Sequence, residues 1–364
     1  MRALVALLVV LVVACDGIPG RVFTYTAPPT ATVADTATPT SAPSASVGRS
    51  ATTRPTPTPA PTVRPIAEIL AQIDAAKLDD HLRALTSFVS RHPLHPGHAM
   101  AIAYLMEQLS ALPGVVVQDI PTSYNGVRLD NIFATINPIA GSGAEGFLGG
   151  AGMICAHFDS TGNRTTGWRP ALDPAPGADD NATGTAALLE YARVLAADRA
   201  SLRMPIVLAF FDGEEYFFKG SLAYLQSLSP SNPYRWVINI DMVGFNPLAD
   251  RLDLVYYTTK SASLRDRVKE ANQRYQIGVS PLVEQLATSD AFILDAAPFG
   301  LVGGIPSVAL VERYGEIDAT FPGNFTFHTV NDTPDKITNK RLWLKAAKLT
   351  LATALDLARG GAQL

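Results

Sequence analysis

Residues 152–160 read Gly152-Met153-Ile154-Cys155-Ala156-His157-Phe158-Asp159-Ser160. The run up to Ala156 is apolar and of strand length, closes on an imidazole, and is followed two residues later by a carboxylate. The layout returns twice. Pro205–Phe211 runs into Asp212-Gly213-Glu214-Glu215, and Val237–Ile240 runs into Asp241. Strands that are apolar on both faces belong to a sheet covered on both sides. Further strands are expected at Val115–Ile120, Asn131–Ile136, Leu252–Tyr257 and Ser307–Val311. Helical periodicity marks Ile66–Leu78, Asp80–Ser90, His98–Leu112, Gly184–Ala197, Leu222–Leu228, Leu264–Tyr275 and Arg341–Arg359. The alternation predicts an α/β fold: a three-layer sandwich with a mostly parallel central sheet flanked by helices, its opening strand pair antiparallel at one edge.

Outside this core the sequence changes character. Arg2 precedes an apolar run, Ala3–Ala14, which is shorter than the ~20 residues a membrane span takes. The run ends in Val12-Val13-Ala14-Cys15, which resembles a bacterial lipobox, in which the cysteine becomes the lipidated mature N-terminus. Residues 1–15 are therefore expected to be a lipoprotein signal peptide, and the chain to reach the cell envelope, membrane-anchored through Cys15 or secreted. Residues 28–62 contain no Leu, Ile, Phe, Tyr or Trp. A stretch so poor in apolar residues cannot build a core, and 16–64 is expected to be a disordered tether rich in Thr, Pro, Ser and Ala. One catalytic domain, 65–364, follows.

The composition, 47% hydrophobic and 17% charged, permits a sizeable core. A net charge of −4 without a Lys/Arg run argues against nucleic acid as partner. Two cysteines make no disulfide framework, and Cys155, inside an apolar run, reads as a buried thiol. Composition is silent on oligomeric state.

Five segments carry candidate chemistry: Ala156–Ser160, Gly177-Ala178-Asp179-Asp180-Asn181-Ala182-Thr183-Gly184, Phe211–Glu215, Asn239-Ile240-Asp241-Met242-Val243-Gly244, and Phe327-His328-Thr329-Val330-Asn331-Asp332-Thr333. Singly, each has an ordinary reading. His157 can be structural, Asp179-Asp180-Asn181 a helix cap, Glu214-Glu215 a solvated pair, and His328 a surface residue. Asp241 is less ordinary, because a carboxylate directly after an apolar strand is costly unless paired or metal-bound. Together they make a pattern. Four segments lie at strand ends or in the loop before a helix, and open α/β sheets bind ligands at the carboxyl ends of their strands. Imidazole and carboxylate are ordinary zinc ligands.

These motifs resemble the co-catalytic di-zinc aminopeptidases, zinc exopeptidases related in fold to glutamate carboxypeptidase and the animal-type glutaminyl cyclases. The resemblance covers residues ~80 to 355. It implies two Zn2+ per chain: His157 and Asp241 on one, Glu215 and His328 on the other, with Asp180 bridging. It implies Glu214 as general base, Asp159 as the group orienting the His157 ring, a cis peptide at Asp180–Asn181, and peptide substrates cleaved at the N-terminal bond. There are departures. Phe327 stands where some members carry a Tyr whose hydroxyl supports the oxyanion, which leaves zinc or another group, such as Tyr314, for that role. Ala291 follows Ser289-Asp290 where a His is usual. The alternative is a one-zinc glutaminyl cyclase, favoured by Cys155–Ser160 and Phe210–Glu215. Against it stand the aminopeptidase-like Asn181-Ala182-Thr183-Gly184 and Phe327 in place of the cyclase Trp. A non-catalytic binding module would be expected to have lost ligands, and all five are present.

Deleting residues 16–64 is expected to leave activity intact, since beyond Ile18, Val22, Phe23 and Tyr25 that stretch offers a core almost nothing apolar. Activity of the truncated chain checks this. Failure to fold would show that the segment packs on the domain.

Overall fold

The computed structural model describes residues 63–139, 150–228, 232–287, 294–312 and 317–360. Cys15, residues 16–62 of the expected tether, Ser289-Asp290-Ala291 and Tyr314 lie outside the described residues.

The described residues form one mixed sheet. Its strands are β1 (Val115–Tyr124), β2 (Val127–Ile136), β3 (Ala151–His157), β4 (Ile206–Phe211), β5 (Tyr234–Asp241), β6 (Leu252–Tyr257), β7 (Leu282–Ala287) and β8 (Ser307–Val311). They are ordered β1-β2-β4-β3-β5-β8-β6-β7. The central four, β4, β3, β5 and β8, run parallel. β1 pairs antiparallel with β2, β2 with β4, and β6 with β8. The mostly parallel sandwich and the antiparallel opening pair are both present.

The helices are α1 (Ile66–Leu70), α2 (Ala75–Ser87), α3 (Pro96–Ser110), α4 (Thr183–Ala197), α5 (Lys219–Ser227), α6 (Ala262–Arg274) and α7 (Lys340–Ala358). Period-two alternation divides the strand side chains between two buried faces. Ile154, Ala156, Leu208, Phe210, Ile238 and Ile240 join one core with residues of α1–α4, α6 and α7. Met153, Cys155, Ala209, Phe211 and Val237 join the other, against Tyr224 of α5 and the segment containing Phe299. Cys155 is a buried free thiol whose pKa burial pushes up, so it packs rather than reacts.

The structure departs from the sequence expectations in two places. The helix expected over Ile66–Leu78 is broken. α1 ends at Leu70, and Asp74 starts α2 by accepting a hydrogen bond from the N–H of Ala76 at 2.8 Å. The N–H of Asp74 donates to Glu190 Oε1 at 2.7 Å, so the break is fixed from across the fold. β7 was not foreseen. It pairs with β6 at the sheet edge and is partly exposed, and Glu284 and Gln285 interrupt its apolar run.

The parallel register decides where the chemistry sits. His157 pairs with Phe211 and Asp241 with Val311, so β3, β4, β5 and β8 end along one line. α4 starts beside that line. Its first residue accepts a hydrogen bond at the Thr183 carbonyl from Trp343 Nε1 of α7 at 3.0 Å, and Tyr191 Oη donates to the Ala347 carbonyl at 2.9 Å. Trp343 is fully buried. Trp343→Ala is expected to cost about 3–5 kcal/mol of stability, read as a lower urea midpoint. A loss under about 1 kcal/mol would show that the α4–α7 seam repacks.

Candidate active site

His157, Asp180, Glu215, Asp241 and His328, spread through the sequence, converge at the carboxyl end of the sheet. They fall into two triads, His157/Asp180/Asp241 and Asp180/Glu215/His328. In each triad the candidate ligand atoms lie within 4.8 Å of one another. Asp180 belongs to both. Its Oδ1 is 3.2 Å from His157 Nε2, and its Oδ2 is 3.0 Å from His328 Nε2. Asp241 Oδ2 lies 3.5 Å from His157 Nε2, and Glu215 Oε2 lies 3.0 Å from His328 Nε2.

The donor set fits zinc. His157 Nε2, Glu215 Oε1 and Asp241 Oδ1 are buried without a hydrogen-bond partner. Buried polar atoms are nearly always partnered, and these three belong to residues of the two triads, where a cation would satisfy them.

The electrostatics of the protein groups agree. Burial opposes charge on the His157 ring, but the carboxylates of Asp241, Asp159 and Asp180 outweigh it and raise the pKa well above the usual value. His328 is pushed up to about 12, burial being overcome by Glu215 and Asp180. Asp180 goes below the usual range, because the two imidazoles outweigh its burial. Burial pushes Glu215 up to about 7 and raises Asp241. It raises Glu214 well above the ordinary value, against the pull of His157 and reinforced by Glu215, Asp295 and Asp241.

A scaffold of hydrogen bonds holds these groups. Asp159 accepts from the N–H groups of Glu214 at 3.2 Å and Glu215 at 3.3 Å, and its Oδ1 lies 3.4 Å from His157 Nδ1. One carboxylate thus links the end of β3 to the turn after β4. Gly213 makes that turn with φ +67°, a region open to glycine without a Cβ penalty. Asp212, on its other side, turns away to meet His98 Nε2 at 2.9 Å and the N–H of Asp130 at 2.7 Å. Asp332 accepts from the N–H groups of Asp179 and Asp180 at 3.0 and 3.1 Å. Asp179 in turn accepts from the N–H of Gly244 at 2.9 Å and from Asn324 Nδ2 at 3.0 Å. The Asp180–Asn181 peptide is cis. Asn181 Nδ2 donates to the Ile240 carbonyl at 3.0 Å, and Thr185 Oγ1 to the His157 carbonyl at 2.7 Å.

Sequence reading missed several members of this scaffold. Arg91 is fully buried, and it donates from Nε to the Phe158 carbonyl at 2.6 Å, from Nη1 to that of Pro176 at 2.5 Å and from Nη2 to that of Gly177 at 2.9 Å. Nothing local distinguishes Arg91-His92-Pro93, because its partners are 67 to 86 residues away. Asp295 is a fully buried carboxyl that burial pushes up to about 7. Its neighbours Leu294, Ala296 and Ala297 are all apolar, and a carboxylate in such company was the available signal.

The sequence pattern of peptidase family M28 matches residues 131–353, more than half of the chain. Leucine aminopeptidase 1 of Coccidioides posadasii is 26% identical over 310 residues, covering 80% of this chain and 73% of that protein. YfbL of Escherichia coli, an uncharacterised protein, is 26% identical over 254 residues, or 63% of this chain and 71% of YfbL. Among solved structures, the LapA aminopeptidase of Legionella pneumophila superposes with a TM-score of 0.64 at 19% identity, covering 81% of this chain and 74% of its own. The glutaminyl cyclase of Porphyromonas gingivalis gives 0.63 at 20%, covering 78% and 98%. At these identities the two structures speak for the fold. The family match reaches from β2 into α7 and takes in the whole candidate site: the chain belongs to peptidase family M28, a family of zinc peptidases.

Proposed function

We propose that this protein is a two-zinc aminopeptidase that hydrolyses the N-terminal bond of peptides. The observation carrying the reading is the position of Asp180, whose two oxygens face two different imidazoles. One carboxylate shared by two triads is what a pair of close cations requires to offset their repulsion. His157 and Asp241 would hold one ion, and Glu215 and His328 the other.

When bound, zinc supplies a Lewis acid for the scissile carbonyl and acidifies water. The protein's part is proton handling and positioning. Glu214 takes the proton of the attacking water and passes it to the leaving amine. Asp159 fixes the Glu214 and Glu215 backbone and the His157 ring at once, so base and ligand keep their spacing through turnover. Phe327 offers no hydroxyl donor, so oxyanion stabilisation would fall to the metals or to another group.

The second reading is a one-zinc glutaminyl cyclase, and counting metal separates the two. Elemental analysis of protein purified without chelator is expected to give about two zinc per chain. Full activity at a firm stoichiometry of one would favour the cyclase.

Glu214→Gln is expected to lower turnover by about 10²–10⁴-fold with near-normal zinc content, because Gln keeps the size but cannot accept a proton. Glu215→Gln is expected to weaken or lose one metal, a neutral amide being a poor ligand. Kinetics and metal analysis of both variants check the assignment. The reverse pattern would exchange the two roles, and full activity in both would sink the peptidase reading.

A further inference from the structure

Arg164 stands beside the loop that carries His328. Its backbone N–H donates to the His328 carbonyl at 2.9 Å, and its Nη1 donates to the Phe327 carbonyl at 3.2 Å. The N–H of Val330 donates to Thr165 Oγ1 at 3.1 Å. Its guanidinium carbon lies 4.4 Å over the centre of the Phe327 ring, and that ring meets the His328 ring edge-on with centroids 4.7 Å apart. Arg164 is therefore held by its backbone and by stacking, two ring contacts from a candidate metal ligand, and still exposed.

Its chemistry is left open toward solvent. The side chain forms no ion pair among the described residues, and its one hydrogen bond there uses Nη1. The Nε–Nη2 edge remains. Two parallel N–H groups on that edge match the two oxygens of a carboxylate, and stacking has already restricted the fork.

We propose that Arg164 binds a carboxylate of the peptide substrate within one or two residues of the scissile bond. This rests on the peptidase reading above and narrows its substrates. An extended residue spans about 3.5 Å, so a group two ring contacts from His328 is on the scale of a di- or tripeptide. The C-terminal carboxylate of such a peptide, or an acidic side chain next to the cleaved bond, carries the required chemistry.

The test uses the zinc-loaded full chain and three substrates: leucyl-alanine, leucyl-alaninamide, and leucyl-glutamic acid α-amide, whose carboxylate is on the side chain alone. We expect kcat/KM about tenfold higher for at least one of the two acids than for the neutral amide. The preference is expected to shrink as ionic strength rises. The acid that is favoured names the source of the carboxylate. Arg164→Gln should bring the acid-to-amide ratio close to one, and Arg164→Lys should keep part of it. The ratio is taken within each variant, so loosened loops or partial zinc loss cancel. Wild-type enzyme that treats all three substrates alike overturns the proposal, as does a preference that survives Arg164→Gln. If the wild type cleaves none of them, nor leucine p-nitroanilide, the peptidase reading falls and this proposal falls with it. Equal cleavage of all three removes the Arg164 proposal alone.

Discussion

Asp180, Glu215 and Asp241 share one buried space with His157 and His328, and the architecture around them follows from making that arrangement tolerable. An ionised carboxylate removed from water costs several kcal/mol even after relaxation. Two imidazoles cannot neutralise three such groups together with Glu214 beside them. Burial raises the pKa of Glu215, Asp241 and Glu214 in spite of the imidazoles beside them. A bound cation would offset that charge, and the donor set of the two triads fits one.

The acidic residues nearby divide into two kinds by where their oxygens point. Asp159, Asp179 and Asp332 spend their oxygens on N–H donors from β-turns, the start of α4 and loop backbone. They are structural anions, and each ties together segments distant in sequence. Asp241 and Glu215 each keep a buried oxygen without a donor. Burial and residue type are the same in both groups, and the oxygens of the first group are taken up by N–H donors. Arg91 belongs to the same scheme from the opposite sign. It is a buried cation that spends its donors on three carbonyls, two of them in the loop leading into Asp180, and lends its charge to the surrounding acids.

This division explains what could be read in advance. Buried parallel strands announce themselves by continuous apolar runs, and candidate ligands at strand ends inherit that visibility: His157 and Asp241 close such runs directly, and Glu215 follows one after Asp212-Gly213-Glu214. Asp180 is legible from the helix it precedes. His328 has no strand before it and is legible by its motif alone. The break at Asp74 was invisible because Glu190, which fixes it, lies 116 residues away. β7 was invisible because an edge strand needs only a partial apolar pattern. Arg91 and Asp295 acquire meaning only through partners that the fold supplies.

His328 is a candidate ligand placed by a loop rather than a strand, and it has φ +59°. Loops position groups less precisely than sheet ends, so the loop must be fixed by other means. Asn324 does part of this. Its Nδ2 reaches Asp179, and its Oδ1 accepts from the N–H groups of Thr326 at 3.0 Å and Phe327 at 3.3 Å. Arg164 and Thr165 hold the other side. The segment bearing His328 is therefore braced on one flank by the scaffold that holds Asp179 and Asp180 and on the other by the loop that carries Arg164. One piece of backbone thus ties His328 to both flanks, and a change at Phe327 or Arg164 reaches His328 through contacts already in place.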